Sequence, residues 1–489
     1  MKKTYGVCAG LLALGLVGIG APASYARGRL PAGETAGGSS ETTTASSASS
    51  TTTAAASSPA ELRQRIDALK VELADLNAEL ASAKDPDAAA KVETPQDQSG
   101  SMPGMPAQAP ATTTPAAAAA APMPLPSPSM AGPLATGIPH ELPAGPFGKI
   151  EVTGVLSGIG LFGNNPATTG DEGHVDLSNA QIFVQKTTGW FQFFLQGGAY
   201  NLPDLGVPFI KTSDTVKGFY GPFPQGYLKL VKGNFNVEIG ALPTLIGAEY
   251  TFSYENMNIE RGLLWNQENA VNRGIQLNDT WKKLTVAFSW NDGFYSDRYN
   301  WLSGSLTYAI NSSNTLAFVG MGNAGSYARI GPANAGGVTP LYLNNSQIYN
   351  LLYTYTKGPL TINPYYQYTV VKKNTNLVLP ITEGAHTNGG AILVNYNFKH
   401  GVSLSARPEY IKSGGGVATD PNSINLLYGP GSGAFAFTVT PTYVKDAFFL
   451  RGDVSFVHIT SLTPGFGFGL SPGNNANQTR GVIEAGFMF

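Results

Sequence analysis

The chain ends in the stretch Gly481-Val482-Ile483-Glu484-Ala485-Gly486-Phe487-Met488-Phe489. With the period of two residues that a β-strand imposes, one face carries Ile483, Ala485, Phe487 and Phe489. The opposite face carries one charge, Glu484, among small and apolar side chains. An aromatic face opposite a mixed face suits a wall between lipid and water, and it therefore predicts a membrane-spanning strand.

The first 26 residues (1–26) have the pattern of a secretory signal peptide. Lys2 and Lys3 precede an apolar run over 9–19, and Ser24-Tyr25-Ala26 gives a small-x-small cleavage site. The apolar run has about ten residues, too few to cross a bilayer as a helix. Cys8 is the only cysteine and lies inside this segment. The mature chain is therefore predicted to have no disulfide and no thiol-ligated metal.

Aromatic residues divide the chain into two unlike parts. All of them except Tyr5 and Tyr25 lie at or after Phe147. No segment has the roughly 18 continuous apolar residues of a transmembrane helix. The formal net charge is only −2. A nucleic-acid partner would need a basic patch, so we expect no nucleic acid among the partners.

The region between the signal peptide and Phe147 has three predicted segments. Residues 27–57 are mostly Ser, Thr, Ala and Gly, a composition typical of disorder. Residues 58–84 begin with a capping box, and apolar side chains follow at the a and d positions of a coiled coil. This helix either joins subunits, with a trimer as one possibility, or docks on another surface. Residues 85–146 are rich in Pro and Ala and are predicted to be a disordered, extended linker.

Residues 147–489 divide into sixteen runs of alternating apolar and polar residues, joined by connections that are short and long in turn. This pattern predicts an all-β fold, a transmembrane up-and-down antiparallel β-barrel of about 16 strands. A short α-helical coiled coil and the disordered linker precede the barrel. An even strand number places both ends of the barrel on the periplasmic side. The predicted strands are 149–161, 175–187, 190–200, 226–232, 234–242, 272–281, 284–291, 299–310, 314–322, 346–356, 360–370, 389–398, 401–412, 434–445, 447–458 and 480–489.

Three prolines fit this pattern poorly. Pro364, Pro408 and Pro441 lie within predicted strands. A closed barrel has no free edge where a missing N–H is harmless. We expect local bulges there, or positions close to the membrane boundary.

Alternation places a few charged side chains on the inner wall of the barrel. Charges inside a pore set ion preference and orient polar solutes. The alternative is that these groups pair with one another across the wall and only hold the shape of the barrel. Two of the pairs, Arg407 with Glu409 and Arg451 with Asp453, are two residues apart on one face. The predicted pore-lining residues are Glu238, Arg407, Glu409, Arg451, Asp453 and Glu484.

The longest connection, 243–271, is the predicted constriction. It contains Leu263-Leu264-Trp265, and so much apolar material is not expected to remain in water. The connection either folds into the pore or packs against a neighbouring subunit. Its charged residues, with the one that closes the segment, are Glu249, Glu255, Glu260, Arg261, Glu268 and Arg273.

No catalytic constellation stands out in the sequence. The five histidines are scattered, and none has metal-ligand spacing. The glycine-rich stretch 429–433 precedes a strand instead of a helix, so it does not predict a phosphate site. We therefore expect no enzymatic activity, no metal and no cofactor.

Three motifs resemble the OmpL-like β-barrel porin family of Gram-negative envelopes: Leu242-Pro243-Thr244-Leu245-Ile246-Gly247-Ala248-Glu249, Arg261-Gly262-Leu263-Leu264-Trp265 and Asn272-Arg273-Gly274. The resemblance covers roughly 147–489 and implies an outer-membrane pore for small hydrophilic solutes. It supplies no binding residues. The C-terminal strand also resembles those by which the barrel assembly machinery recognises outer-membrane barrels. The layout, with a coiled coil before a barrel, is similar to that of trimeric porins with a periplasmic coiled coil.

Three functions remain open at this point. The first is an outer-membrane porin of a Gram-negative bacterium, a water-filled channel for passive diffusion of small hydrophilic solutes and ions. Its N-terminal region would be periplasmic, and it would form a homotrimer through the barrel wall and the coiled coil, in contact with outer-membrane lipid. The second is a substrate-selective uptake channel for carboxylates or sugars, with 243–271 as the filter. The third is a structural tether from the outer membrane to the cell wall through 27–146.

Overall fold

The computed structural model describes residues 132–135, 138–166, 171–325, 345–377, 380–420, 423–470 and 473–489. The predicted signal peptide, the segment 27–57, the helix 58–84 and most of the linker lie outside these residues. Within the described ranges, no helix is long and apolar enough to cross a membrane.

Sixteen antiparallel strands, β2 to β17, close into a barrel. Each strand pairs with the next in the chain, and β17 pairs with β2 to complete the ring. A short strand, β1, pairs with the start of β2, and one helix, α1, follows β4. The bounds are β1 His140–Pro143, β2 Lys149–Gly163, β3 Gly173–Lys186, β4 Phe191–Tyr200, α1 Thr212–Gly218, β5 Gln225–Lys232, β6 Phe235–Pro243, β7 Val271–Trp281, β8 Leu284–Asn291, β9 Trp301–Asn311, β10 Asn314–Asn323, β11 Ser346–Lys357, β12 Leu360–Val371, β13 Ala385–Asn397, β14 Val402–Gly415, β15 Gly433–Lys445, β16 Phe448–Thr460 and β17 Asn477–Met488.

The predicted fold class, the strand number and the alternation of connections are confirmed. The largest difference in strand bounds is at β13, which begins at Ala385 instead of 389; β17 begins at Asn477 instead of 480, and β14 ends at Gly415 instead of 412. Short connections collect at one end of the barrel, here called the short-turn end, and long ones at the other, the long-loop end. Lys149 and Met488, where the barrel begins and ends, both lie at the short-turn end. This is the arrangement that an even number of strands requires.

The terminal strand divides into the two faces predicted from its sequence. Ile483, Phe487 and Phe489 are 50%, 52% and 45% exposed, whereas Glu484 and Met488 are buried. The other strands repeat this division, with large apolar side chains pointing outward around the barrel. An outward apolar band of this kind faces hydrocarbon. The exposed side chains include Leu156, Ile182, Leu228, Phe288, Trp290, Leu306, Leu351, Ile392, Phe437 and Leu450.

Each strand proline interrupts the ladder on one side only. Near Pro364, pairing stops between β11 and β12 but continues between β12 and β13. Pro408 interrupts β13–β14, and Pro441 interrupts β15–β16, while β14–β15 pairs without a break. The register is the same on both sides of every gap, so the bulges expected from the sequence were wrong. Because proline lacks one N–H, it removes ladder bonds toward one neighbour and leaves the other neighbour paired.

Connections from the long-loop end pack on the inner wall of the barrel. The largest apolar cluster of the interior joins side chains of three such connections to side chains of β12 to β16. Its members from the connections are Leu205, Met257, Leu263, Leu264 and Phe468, and those from the wall include Tyr365, Leu393, Ile411, Ala436 and Val457.

Candidate functional site

The connection between β6 and β7, residues 244–270, lies inside the barrel and is called the inserted loop below. Its apolar side chains Phe252, Tyr254, Leu263 and Leu264 are all at most 2% exposed. Two single 3-10 turns, Ser253–Glu255 and Trp265–Gln267, shape it. Burying these side chains removes apolar surface from water, which favours insertion over exposure. Of the two placements that the sequence left open, the structure has the one inside the barrel.

Arg451 of β16 holds the deepest turn of the inserted loop. Its guanidinium donates hydrogen bonds to the carbonyl oxygens of Ser253 (2.9 Å), Asn256 (2.8 Å) and Met257 (2.9 Å). The same group lies 3.7 Å from the Glu484 carboxylate of β17, which also accepts a bond from the Ser253 hydroxyl at 2.8 Å. Arg451 is three residues beyond the first residue of β16, or about 10 Å from the short-turn end. The inserted loop therefore reaches far into the barrel.

Asp453 of β16 fixes the next part of the inserted loop. One oxygen of its carboxylate accepts the backbone N–H groups of Ile259 and Glu260, both at 2.9 Å. The Glu260 side chain in turn forms an ion pair with Arg480 of β17 at 2.9 Å and accepts a bond from Ser455 at 3.0 Å. Hydrogen bonds to a charged group are among the stronger ones in proteins, so this side of the loop is firmly attached.

A third group of charges lies nearer the long-loop end. Arg407 of β14 pairs with Glu249 of the inserted loop at 2.5 Å, and it donates to the Glu260 carbonyl at 2.8 Å. Its Nε lies 3.3 Å from Glu409 on the same strand, and Glu409 accepts the N–H of Leu263 at 2.8 Å. All these charged side chains are buried. The wall charges here bind the loop as well as each other.

Gly262 shows how closely the inserted loop approaches this group. A Cβ at position 262 would lie 2.6 Å from a Glu409 oxygen and 3.0 Å from both Arg407 Nε and a Glu249 oxygen. Any side chain at this position would displace a charged partner. Glycine therefore permits the backbone to pass directly over the Arg407 cluster.

Two further loop residues predicted from the sequence are also buried. Arg261 pairs with Asp204 of the preceding long connection at 2.7 Å, and its guanidinium lies 4.5 Å from the centre of the Trp265 ring. Glu255 accepts the N–H of Phe252 at 3.0 Å and so closes the 3-10 turn. Burial raises the pKa of Glu255 to about 8, so this carboxyl is mostly protonated at neutral pH.

Glu268 and Arg273 are the two remaining residues that the sequence predicted for this connection. Both Glu268 oxygens are buried with no hydrogen-bond partner among the described residues, and burial, with the charges of Glu249 and Glu409, raises its pKa well above the usual range. Arg273, at the long-loop end, pairs with Asp292 at 2.7 Å and lies over the Tyr295 ring.

Glu238 forms a separate pair on the wall of the barrel. It is fully buried on β6 and lies 3.1 Å from the ammonium group of Lys229 on β5. The Gln276 amide of β7 donates to it at 3.5 Å. This pair therefore ties neighbouring strands, which is the brace that the sequence left as the alternative to a pore-lining role.

Sequence reasoning missed Arg480 and Asp204, and also Lys229 and Asp292, the partners of Glu238 and Arg273. Arg480 shares the inner face of β17 with Glu484, so the alternation of that strand could have identified it. Asp204 belongs to a different connection from its partner Arg261, and no local pattern relates the two. The predicted partners Arg451 and Asp453 each bind the inserted loop.

The charged side chains of the wall mainly hold the inserted loop in place inside the barrel. Arginine donors that already bind carbonyls and carboxylates present little free charge to a passing ion, because their field is compensated locally. Within the part of the chain that the structure describes, no group of three or more His, Cys, Asp or Glu could hold a metal ion.

Comparison with known proteins gives one family and several similar folds. The profile of the family described as "beta-barrel porin-2, OmpL-like" matches residues 149–489. No curated protein matches the chain. OmpT of Vibrio cholerae is 10% identical, with a TM-score of 0.46 over 72% of this chain and 100% of that one. The outer-membrane channel DcaP of Acinetobacter baumannii is 8% identical (TM-score 0.44; 70% and 97% covered). OmpF of Salmonella typhi, in complex with daunomycin, is 10% identical (TM-score 0.45; 72% and 100% covered).

Proposed function

Because the chain belongs to the OmpL-like β-barrel porin family and is a channel of the Gram-negative outer membrane, we propose that it lets small hydrophilic solutes and ions diffuse passively past the inserted loop. The short-turn end faces the periplasm and the long-loop end faces outward. Transport by diffusion needs no catalytic group, so the proposal includes no enzymatic activity, metal or cofactor.

The side of the lumen on which the inserted loop is anchored carries this proposal. The hydrogen bonds of the inserted loop reach β3, β4, the strands from β11 to β17 and Gly293 of the connection between β8 and β9. The wall formed by β8 and β9 carries small hydroxyl side chains toward the interior, namely Ser289, Ser303, Ser305 and Thr307. These four side chains are at most 5% exposed, and Leu245 and Ile246 of the inserted loop belong to one apolar cluster with Ala287 of β8 and Trp301 of β9. Loop and wall lie close together here, so we propose that the constriction of the passage is between them.

Purified protein in a planar lipid bilayer separates the possible functions. Stepwise conductance that added carboxylates and sugars do not block supports passive diffusion. Saturable block by carboxylates or by sugars would indicate selective uptake instead of passive diffusion. The absence of any conductance would favour a structural tether.

A matched pair of variants tests the position of the passage. Ser305→Trp adds bulk to the lumen side of β9, whereas Leu306→Trp adds it to the outer face, where Leu306 is 50% exposed. The first variant should lower the conductance several-fold and the second should leave it unchanged. Equal conductance in both would place the passage elsewhere.

We also propose a homotrimer, formed through the barrel wall and the helix predicted over 58–84. The support is the run of apolar residues at coiled-coil spacing from Leu62 to Leu80. Deleting 58–84 should lower the temperature at which the oligomer dissociates on native gels while single barrels still insert. An unchanged oligomer after this deletion would exclude the role of the helix.

A further inference from the structure

Lysine recurs in the tight turns at the short-turn end of the barrel. The turns after β5, β7, β11, β13 and β15 each carry an exposed lysine, and these five are called the rim lysines below: Lys232, Lys282, Lys357, Lys399 and Lys445. None of them has a hydrogen-bond or ion-pair partner among the described residues. Their positive charges are therefore available to a partner from outside the chain.

Few acidic side chains accompany the rim lysines. Glu141 already pairs with Lys149 at 2.5 Å. Glu151 lies on the inner face of β2, which leaves Asp279 and Asp446 as the acidic residues of the outer rim within the described ranges. The outer surface at the short-turn end therefore carries an excess of positive charge.

Exposed aromatic side chains lie beside the rim lysines. Trp281, which is 58% exposed, directly precedes Lys282. Trp190 is 72% exposed, and its carbonyl oxygen accepts the N–H of Val231, the residue before Lys232, at 2.7 Å. Tryptophan collects at the headgroup level of a membrane, and long lysine side chains extend toward the headgroups. The rim lysines therefore lie at the boundary between the hydrocarbon and the water on this side of the membrane.

The rim lysines are spread around the barrel instead of forming one patch. Tight turns follow every second strand, and strands lie about 4.8 Å apart, so neighbouring turns are about 10 Å apart along the rim. A globular protein partner would cover one side of the rim, whereas lipid surrounds the barrel on all sides. This distribution therefore favours lipid as the partner.

We propose that the rim lysines bind phospholipids with a net negative headgroup, whose phosphate oxygens accept hydrogen bonds from the lysine ammonium groups. Beside each lysine, an anionic lipid is favoured about fivefold over a zwitterionic one, which corresponds to about 1 kcal/mol. The assignment to the periplasmic leaflet rests on the orientation in the proposed function, whereas the lipid preference does not.

Tryptophan fluorescence measures this preference at two places on the rim, because Trp190 and Trp281 lie next to Lys232 and Lys282. The substitution Trp290→Phe first removes an exposed tryptophan nearer the long-loop end. Lipids with brominated chains quench tryptophans that they contact. In phosphatidylcholine bilayers, brominated phosphatidylglycerol should reach half-maximal quenching at about one fifth of the mole fraction that brominated phosphatidylcholine needs.

Matched lysine variants test which charges cause the preference. Lys232→Gln/Lys282→Gln removes the charges beside both tryptophans, so the two brominated lipids should then quench at the same mole fraction. Lys412→Gln is the control, because Lys412 is exposed on the outer face of β14 near the long-loop end. It should leave the preference unchanged. Concentrated salt should also abolish the preference, because it screens exposed charges.

Three outcomes would contradict the proposal. Equal quenching by the two lipids in the parent would exclude the lipid surface and favour an acidic protein as the partner. A preference that survives Lys232→Gln/Lys282→Gln would exclude the rim lysines as its cause. Inorganic phosphate that abolishes the preference more effectively than chloride at the same ionic strength would indicate a site for free phosphate. None of these measurements requires conductance, so their failure is distinguishable from failure of the proposed channel function.

Discussion

Replacing Arg451 by methionine removes the main attachment of the deep turn and nearly preserves the length of the side chain. Three hydrogen bonds from a charged donor are lost, each contributing about 1.5–3 kcal/mol. The Glu484 carboxylate loses a positive charge 3.7 Å away, an interaction of about 4 kcal/mol at an effective dielectric constant of 20. These contributions overlap, and breaking a buried pair typically destabilises by about 3–5 kcal/mol. We expect the free energy that holds the inserted loop against the wall to fall by an amount of that size.

The strand ladder around Arg451 does not depend on its side chain, so the loss should fall on the inserted loop. Single-channel recording of Arg451→Met should therefore show current that fluctuates between two levels, where the parent gives one steady level. The unpaired Glu484 should also shift the reversal potential toward cations. The double variant Arg451→Met/Glu484→Gln should keep the fluctuations and lose the cation preference, which separates loop release from charge.

Lys229→Met is the matched control, because it removes the partner of Glu238 on the wall without touching the inserted loop. It should change selectivity at most. If Arg451→Met keeps the steady conductance of the parent, Arg451 does not hold the loop. If only the ion selectivity changes, Arg451 has the pore-lining role predicted from the sequence.

Three further predictions concern the loop and the barrel. Burial raises the pKa of Glu255 from its usual 4.5 to about 8, so the stability that its protonated form contributes is fully present below pH 4.5 and is lost as the pH rises through 8. The melting temperature should therefore fall between pH 4.5 and pH 8, and it should fall less in Glu255→Gln. Gly262→Ala should lower the melting temperature through a loss of about 1–3 kcal/mol, because its Cβ would lie 2.6 Å from Glu409. Deleting Phe489 should reduce the yield of heat-modifiable barrel in the outer membrane, because the aromatic end of the last strand is lost.

Each of these predictions has an outcome that contradicts it. An identical pH profile in Glu255→Gln would mean that other groups set the profile. Gly218→Ala adds a methyl group where nothing lies within 4 Å and is the control for Gly262→Ala. Equal melting temperatures in the two would show that the loop passes farther from Arg407, Glu409 and Glu249. A normal surface yield after deletion of Phe489 would separate assembly from the last residue.

The barrel could be predicted from sequence because its signal is local. A period of two residues, an aromatic outer face and short connections in every second position are visible in any window of the chain, as in Ile483–Phe489. The interior could be predicted only in part. Alternation identified Arg407, Arg451 and Asp453 as inward-facing, and the same alternation places Arg480 on the inner face with Glu484 within the predicted strand 480–489.

The partners of these charges could not be predicted, because they depend on the path of the inserted loop. Arg407 and Glu249 are 158 positions apart, and Asp204 meets Arg261 from another connection. These contacts depend on where the two connections lie in the folded barrel, and no local sequence pattern encodes that placement. The same holds for the apolar cluster that contains Val155, Phe183, Phe194, Phe449 and Met488, which come from five neighbouring strands.

The short strand β1 has a consequence for closing the ring. β17 pairs with β2 down to Gly154, where Phe489 exchanges backbone hydrogen bonds, and β1 takes up the same edge of β2 from Val152 onward. β1 and the end of β17 therefore lie end to end along the same edge of β2. A final strand that slid toward the periplasm would collide with His140, and any slip by one residue would turn its aromatic face to the wrong side. β1 can therefore limit how far β17 slides along β2 and so set the register of the closing strand pair while the last hairpin forms.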